Sequence, residues 1–182
     1  GAVRVISPPS LPARKRESIF TKGVVSMIYT AKGGIKRVVA VRMSPGENVM
    51  KGLERVCADH GIHNAIILSG MGSLDGCEYL VPIALPEKKA GYGYGSPIKV
   101  TDPVSVTGVS GMVCHDDDGN ALLHVHINAS DNSGTVRGGH LTEANTVLLT
   151  FDVVIGELGD GLEMGRAYDE DLEVFIFRPK QK

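Results

Sequence analysis

The sequence predicts an α+β fold, with one largely antiparallel β-sheet and a single main helix. Most apolar segments are short and alternate with polar residues or are rich in β-branched residues, which is typical of strands. Only residues 48–60 place apolar residues at helical spacing. Turn-forming segments rather than further helices join the strands, so the chain lacks the β-α-β alternation that produces a parallel sheet. With 182 residues, 42% of them hydrophobic, the chain is long enough to bury a sizeable core.

The chain divides into an N-terminal arm and one domain. Residues 1–22 contain three prolines and the basic run Arg14–Arg16, which predicts an extended arm. Residues 23–182 carry the strand patterns and the helix, and we expect them to form the domain. The first 42 residues hold nine lysines and arginines against one acid, so the arm is the part of the chain that could contact phosphate.

The elements follow from local patterns. Asn48 is a favourable helix N-cap, Gly61 directly follows the helical segment, and glycine, proline and aspartate clusters separate the strands. In chain order we expect strands at Val24–Thr30 and Lys36–Met43 joined by a hairpin at 31–34, a helix at Asn48–His60, a strand at Ala65–Leu68, a glycine-rich turn at 69–73, a strand at Cys77–Leu85, a loop at 86–97, and strands at Val104–Cys114, Ala121–Asn128, Val136–Leu141, Asn145–Glu157 and Leu172–Phe177.

Three histidines are the main functional signal. His124 and His126 are two residues apart in a predicted strand, so their side chains share a face. A turn centred near Asn132 would place His140 of the next strand opposite His124, with Cβ atoms about 5 Å apart. Imidazole binds zinc, nickel and iron, and three protein ligands leave a coordination position open. The sequence therefore predicts a divalent transition metal site, most readily zinc, with nickel or iron as alternatives.

Each of these signals also has a purely structural interpretation. A histidine on a strand is often only a hydrogen-bonded side chain, and a His-x-His pair alone is weak evidence for metal. Gly138 and Gly139, which precede His140, could keep the site uncrowded or could mark a β-bulge or a close packing contact. Tyr92 and Tyr94 in the 86–97 loop could stack on a ligand, or could belong to a surface flap.

Other classes of site are excluded or disfavoured by the sequence. Gly70 and Gly72 follow a strand but precede no helical pattern, which argues against a dinucleotide site. The acidic turn 116–118 lacks the spacing of a calcium loop. No apolar run is long enough to span a bilayer. Because three widely spaced cysteines form no Cys-x-x-Cys pair and no signal peptide is recognisable, we expect a cytoplasmic protein with reduced thiols.

Several segments together resemble the PPC domain, the "plants and prokaryotes conserved" family. The resemblance covers roughly residues 23–178. The matching segments are Ser69–Leu74, His124–His126, Gly138–Leu141, Val147–Leu158 and the Arg-x-x-Asp of residues 166–169. It implies a sandwich-like domain that assembles as a homotrimer. Plant members carry AT-hooks that bind DNA, whereas prokaryotic members stand alone and are often called DNA-binding; this chain has no AT-hook, and its net charge is −2.

Two functions remain open. The first is a metal-binding PPC-domain protein of the DNA-binding or regulatory kind, which holds metal through His124, His126 and His140 and binds DNA at most weakly and without sequence preference. The second is a metal-dependent lyase or hydrolase acting on a small carbonyl compound. It is suggested by the fold's resemblance to acetolactate decarboxylase, which holds zinc with three histidines. Such an enzyme needs a general acid or base, and the candidate polar residues are Glu78, Asp131, Arg137 and Arg166.

Overall fold

Within residues 28–182, which the computed structural model describes, the chain forms twelve strands and one helix. The strands are β1 (Ile35–Met43), β2 (Ala65–Leu74), β3 (Cys77–Leu80), β4 (Pro82–Ala84), β5 (Tyr92–Tyr94), β6 (Ile98–Val100), β7 (Val104–His115), β8 (Ala121–Ser130), β9 (Val136–Leu141), β10 (Val147–Leu158), β11 (Leu162–Asp169) and β12 (Val174–Gln181). The helix α1 (Val49–His60) follows β1.

Ten strands form one sheet whose main path runs β1-β10-β2-β7-β8-β9-β3-β6. Every strand pair on this path is antiparallel. The hairpin β11–β12, the terminal hairpin, joins β7 through a single parallel bridge between Gly165 and His115. The hairpin β4–β5, the flap hairpin, forms a separate two-stranded sheet. The predicted α+β class, with a largely antiparallel sheet and one main helix, is confirmed.

The helix begins and ends where its capping residues predict. The Asn48 side chain accepts a hydrogen bond from the Lys51 N–H at 3.0 Å, which satisfies a backbone donor at the helix start. Gly61 adopts a left-handed conformation with φ of 60°, and its N–H donates to the Ala58 carbonyl at 3.1 Å. Between these caps, one helix face is buried against the sheet.

The core lies between α1 and one face of the sheet. Leu53 from the helix packs in one cluster with Val125 on β8 and with Phe151 and Ile155 on β10, all fully buried. Burying a side chain of this size stabilises the fold by about 1.5–3 kcal/mol. The other face of the sheet, which we call the outer face, carries the residues that alternate with the buried ones along the same strands.

The glycine-rich turn predicted at 69–73 is wrong, because β2 runs through it as one strand. A Cβ at Gly70 would lie 2.6 Å from the Val109 Cβ, and one at Gly72 would lie 2.3 Å from the Thr150 carbonyl oxygen. The glycines therefore allow close approach to the neighbouring elements rather than a change of direction.

In the described part of the first predicted hairpin, the strand expected to run to Thr30 is absent. Residues 28–34 form no strand, and residues 24–27 of the predicted strand, like the arm at 1–22, lie outside the described residues. β1 pairs instead with β10. The glycines of the expected turn pack elsewhere: a Cβ at Gly33 would lie 2.5 Å from the Gly159 carbonyl oxygen.

Two further differences concern the edges of the sheet. The strand expected at Cys77–Leu85 divides into β3 and β4, and the loop expected at 86–97 contains β5, so residues 82–94 fold as the flap hairpin. β11 was not predicted, because most of its residues are polar or half-exposed and give no clear apolar alternation. The last strand begins at Val174 rather than Leu172 and runs to Gln181.

No helix in residues 28–182 has the length and apolar character needed to cross a membrane.

Candidate metal centre

His124, His126 and His140 meet on the outer face of the sheet. In β8, Val125, Ile127 and Ala129 are buried in the core, so the alternating residues His124 and His126 point away from it. This is the shared face that the sequence predicts.

His140 reaches the same patch from β9, at a register two residues away from the one expected. It pairs with His126 rather than with His124. The connection between the strands spans residues 131–135, so the turn is centred one residue later than predicted. A shift of two residues preserves the face to which a side chain points, so the convergence of the three rings is unaffected.

The three rings are close enough to share one ion. The Nε2 atoms of His124 and His126 are 3.0 Å apart, and the centroid of the His140 ring lies 4.8 Å from that of His124 and 5.5 Å from that of His126. One nitrogen from each ring can be chosen so that all lie within 4.8 Å of one another. Three nitrogens around a tetrahedral zinc ion are about 3.3 Å apart. The separation of the rings is therefore compatible with shared coordination.

The local electrostatics favour neutral imidazoles. Burial, the neighbouring histidines and the Arg166 guanidinium together lower the pKa of His124 to about 4. Burial, His126 and Arg166 also lower the pKa of His140. At neutral pH these two rings are uncharged, which is the form that donates a lone pair to a metal.

His140 Nδ1 adds an independent observation. This atom is buried and has no hydrogen-bond partner among the described residues. A buried polar atom left unpaired costs about 1–3 kcal/mol, which a bound ion or ligand could offset. Together with three imidazole donors, it fits a divalent transition metal.

The cysteines do not compete as ligands. All three are buried and unpaired, and burial raises the pKa of Cys57 and Cys77 to about 11, so both remain thiols at neutral pH. Within residues 28–182, the histidine cluster is the one group of three or more side chains suitably placed to hold a metal.

Gly138 and Gly139 serve strand packing. A Cβ at Gly138 would lie 2.0 Å from the Ile127 carbonyl oxygen, and one at Gly139 would lie 2.4 Å from the Leu80 carbonyl oxygen. Both residues lie in a continuous β8–β9 register. The sequence left open whether these glycines mark a β-bulge or a close packing contact, and the structure shows a close packing contact.

Glu78, a candidate general acid or base, is already engaged. Its carboxylate accepts a hydrogen bond from the Thr142 hydroxyl at 2.8 Å and pairs with the Lys99 ammonium at 2.8 Å. Lys99 and Thr142 lower the pKa of Glu78, which keeps it ionised and makes it a poor proton donor. The buried Asn145 side chain bonds both the N–H and the carbonyl of Glu78 and fixes this segment.

Asp131 and Arg137 lie away from the histidines. They form an ion pair at 2.5 Å, and Arg137 is three residues from His140 on β9, which places it on the opposite face. These two candidates therefore order the β8–β9 connection and do not join the cluster.

Tyr94 contacts the histidine cluster, and the charge of Arg166 acts on it. Arg166 lies on β11 and is close enough to act electrostatically on His124 and His140. The Tyr94 ring, from the flap hairpin, lies against the His140 ring with 5.2 Å between centroids. The sequence suggested Arg166 as a polar candidate and Tyr94 as a residue able to stack. Their placement depends on the two hairpins, which no local pattern predicted.

Comparisons with known proteins agree with this fold. The sequence pattern of the Plants and Prokaryotes Conserved (PCC) domain, the family also abbreviated PPC, matches residues 30–159. Among solved structures, a metal-containing protein of Archaeoglobus fulgidus superposes with a TM-score of 0.67 at 23% identity, over 84% of this chain and 99% of that chain. A PPC protein of Pyrococcus horikoshii superposes with a TM-score of 0.65 at 23% identity, over 82% and 97% respectively.

A further structural neighbour, from Bacteroides thetaiotaomicron, is described as a candidate DNA-binding protein; its TM-score is 0.64 at 20% identity, over 82% of this chain and 96% of that chain. Among curated proteins, the bifunctional protein GlmU of a Synechococcus strain is 26% identical over 130 residues, which are 71% of this chain and 18% of GlmU. The chain thus spans less than a fifth of the length of the curated relatives it matches.

Proposed function

This chain belongs to the Plants and Prokaryotes Conserved domain family, and from that premise we propose that it binds one divalent transition metal ion through His124, His126 and His140. The observation that carries the proposal is the convergence of three imidazoles, with potential ligand atoms within 4.8 Å of one another. The metal-containing neighbour from Archaeoglobus fulgidus supports it. Zinc is the first candidate, and nickel and iron are the alternatives.

The protein's own residues would orient and shield the ion. The backbones of β8 and β9 fix the three rings, Tyr94 covers one side of His140, and Arg166 adds a positive charge nearby. A bound ion with an open position would polarise a ligand oxygen or activate water.

Metal analysis of the purified protein tests this proposal. We expect about one equivalent of metal per wild-type chain and a sharp loss in His126→Ala, because two imidazoles hold such ions poorly. His63→Ala removes an exposed histidine outside the cluster and is the matched control, which should retain its metal. Full metal content in His126→Ala would reject the assignment.

We also propose that the protein assembles as a homotrimer. The outer face of β1, β10 and β2 exposes Val38, Leu68 and Met71, and a groove of about 310 Å³ runs between these strands. Exposed apolar surface of this kind tends to mark an interface.

The free, buried cysteines support a reducing, cytoplasmic location for the assembly.

We expect binding to DNA to be at most weak and independent of sequence. Support for contact with DNA comes from the Bacteroides neighbour and from the basic N-terminal residues. The chain as a whole is slightly acidic, with a net charge of −2, which opposes strong attraction to phosphate.

The alternative function is a metal-dependent lyase or hydrolase that acts on a small carbonyl compound, with a fold related to that of acetolactate decarboxylase. The observation in its favour is that the charge of Arg166 acts on His124 and His140 and helps to lower the pKa of both rings, as a cation in the surroundings of a metal site would. Incubation of the zinc-loaded protein with a set of small 2-keto and 2-hydroxy acids tests it. Loss of substrate with wild-type protein but not with His126→Ala would support an enzyme, and no turnover of any acid would reject this alternative.

A further inference from the structure

The flap hairpin is attached to the rest of the fold by few contacts. Within the described part of the chain, its strands β4 and β5 pair only with each other, across three residue pairs. Ile83, Tyr92 and Tyr94 of these strands are exposed rather than packed in the core. Because a two-stranded hairpin on its own is marginally stable in water, the position of the flap hairpin depends on what its root and its tip contact.

The root of the flap hairpin lies at the histidine cluster. Leu80, the last residue of β3, pairs with His140, and β4 begins two residues later. From β5, the Tyr94 ring lies 5.2 Å from the His140 ring between centroids, and the His140 ring in turn lies 4.8 Å from that of His124. The flap hairpin therefore lies on the outer face of the sheet, against the His140 side of the cluster.

The terminal hairpin leaves the sheet on the other side of β8. Its strand β11 joins β7 through the parallel pairing of Gly165 with His115, whereas the flap hairpin follows β3, which lies beyond β9. In the strand order β7-β8-β9-β3, the two roots thus lie on opposite sides of the strand that carries His124 and His126.

The tips of the two hairpins meet at Lys89, in the loop of the flap hairpin. The Lys89 ammonium lies 2.5 Å from the Asp171 carboxylate and donates to the Glu170 carbonyl at 3.4 Å, and the Lys89 backbone N–H donates to the Glu173 carboxylate at 3.2 Å. The two hairpins therefore form an arch, which connects the β7 side of β8 to its β9 side and contacts the histidine cluster through Tyr94.

The ion pair that closes the arch is exposed to solvent. The side chains of Lys89 and Asp171 are 58% and 85% exposed. Exposed ion pairs are weak, and salt screens them. Because the flap hairpin forms its own small sheet, the arch can open at its tip while the main sheet and the core stay intact.

We propose that the flap hairpin is a gate beside the histidine cluster, held closed by Lys89 against the terminal hairpin, and that its opening limits the exchange of ions and small molecules between the cluster and solvent. The inference rests on the proposed metal site and adds how that site is reached. When Lys89 releases residues 170–173, only the root of the flap hairpin remains attached, and Tyr94 is free to move away from the His140 ring.

The rate at which the zinc-loaded full chain loses its metal to excess EDTA, followed by metal analysis of desalted samples, tests the gate. Lys89→Gln should release zinc about 2- to 5-fold faster than wild type, the range that one exposed ion pair can supply, although it still loads with zinc to the same extent. Higher salt should speed release from wild type more than from Lys89→Gln, because the variant has lost the pair that salt screens.

Lys88→Gln is the matched control. Lys88 lies in the same loop and makes no ion pair among the residues that the structure describes. This variant removes the same charge from the flap hairpin without touching the contact at its tip, so it should release zinc at the wild-type rate.

Joining the two tips gives a measurement in the opposite direction. The natural cysteines are buried, so a bis-maleimide with a central disulfide should react at the introduced pair in the double variant Lys89→Cys, Asp171→Cys. The joined protein should release zinc at least about tenfold more slowly than the same variant before joining, since the gate can no longer open. Cleavage of the linker disulfide with a phosphine should restore the faster rate.

The metal-free chain provides a readout that does not depend on zinc. Diethyl pyrocarbonate should modify His140 faster in Lys89→Gln than in wild type, with the exposed His63 as the reference for the reagent. Equal rates of zinc release in wild type, Lys89→Gln and the joined protein would overturn the gate and leave the metal site standing. Absence of zinc from the wild-type protein would reject the metal site, and equal rates of His140 modification would then reject the gate as well.

Discussion

Among single residues, Asp131 has the clearest structural role near the histidines, because it orders the loop that brings β9 back beside β8. Its carboxylate accepts hydrogen bonds from the Ser133 hydroxyl at 2.5 Å and from the Thr135 N–H at 3.0 Å, and it pairs with Arg137. These contacts lower the pKa of Asp131 to about 2. The ionised side chain therefore stabilises the loop that sets the position of His140.

The first prediction concerns Asp131→Asn. Because the folded-state pKa lies below the ordinary value, the stabilisation by Asp131 is complete above about pH 5 and is lost as the pH falls from about 4 toward 2. The variant should melt at a lower temperature than wild type near pH 7, and the difference should shrink near pH 2. Thermal unfolding followed by circular dichroism measures this. Asp117→Asn, at an exposed acid in another turn, should show little change. A difference that does not depend on pH would contradict the assigned role.

At this scale, the face of each histidine was predictable but the register was not. Alternation along β8 fixes the side to which His124 and His126 point, since the side-chain period of a strand is two. The pairing of His140 depends on the hydrogen bonds of Asp131 within the loop, which composition alone does not specify. The positions of Arg166 and Tyr94 depend on contacts distant in sequence.

Among the elements, β9 depends most on close backbone approach. Gly139 lies where a Cβ would meet the Leu80 carbonyl oxygen of β3 at 2.4 Å and the Tyr79 ring at 2.9 Å. The backbone carbonyl of Leu80 cannot move aside as the end of a flexible side chain can. A side chain at this position would force β9 and β3 apart and would displace His140.

The second prediction is that Gly139→Ala lowers the free energy of unfolding by about 1–3 kcal/mol, the usual cost of overpacking. It should also reduce metal content, since His140 moves with its strand. Gly108→Ala, on β7 of the same sheet, is the matched control, because a Cβ there would meet only the Asn128 side chain, at 3.8 Å. Chemical unfolding and metal analysis of both variants check this. A fully stable Gly139→Ala that retains its metal would show that the close approach is dispensable.

The elements of the sheet interior were predictable, and those at its edges were not. Strands such as β7, β8 and β10 carry buried residues at regular spacing, and α1 carries capping residues at both ends. β11 has no such pattern, because it joins the sheet through one bridge and buries few side chains. The glycines of β2 suggest a turn locally, and only the packing of Val109 and Phe151 explains why they lie in a strand.

For the whole molecule, the exposed apolar surface is the main feature still to be accounted for. Met71 on β2 is 59% exposed and Leu149 on β10 is 66% exposed, although both are apolar and lie on strands that are paired on both sides. The third prediction is that light scattering gives three times the chain mass of 19.3 kDa. Met71→Lys should shift the assembly toward monomer, whereas Ile98→Lys, at the far edge strand β6, should not. A monomer mass for the wild type at micromolar concentration would end the trimer proposal.

The fourth prediction concerns DNA. Any binding should be sequence-independent and should collapse between about 50 and 200 mM salt, because phosphate contacts release counterions. Deleting residues 1–22, which contain Arg14–Arg16, should abolish it, since α1 buries one face in the core and presents both charge signs on the other. Fluorescence anisotropy with two unrelated duplexes measures both effects. Tight, sequence-selective binding at physiological salt that survives the deletion would show that the folded domain itself recognises DNA.

The sheet-and-helix class followed from the sequence because strand patterns depend on local alternation. The oligomeric state and the ligands could not be predicted from residue patterns in the same way, because they depend on the surfaces that the fold brings together. The family resemblance, now supported by the match over residues 30–159, supplied the expectation of a trimer that residue patterns alone could not.

The most direct test of the central claim is X-ray absorption spectroscopy at the edge of the metal that the purified protein carries. We predict a shell of three imidazole nitrogens at about 2.0–2.1 Å in the wild type, falling to two in any metal retained by His140→Ala. Oxygen from solvent or a small ligand should complete the wild-type shell. A sulfur shell at about 2.3 Å, or a shell unchanged in His140→Ala, would contradict the assignment of the metal to His124, His126 and His140.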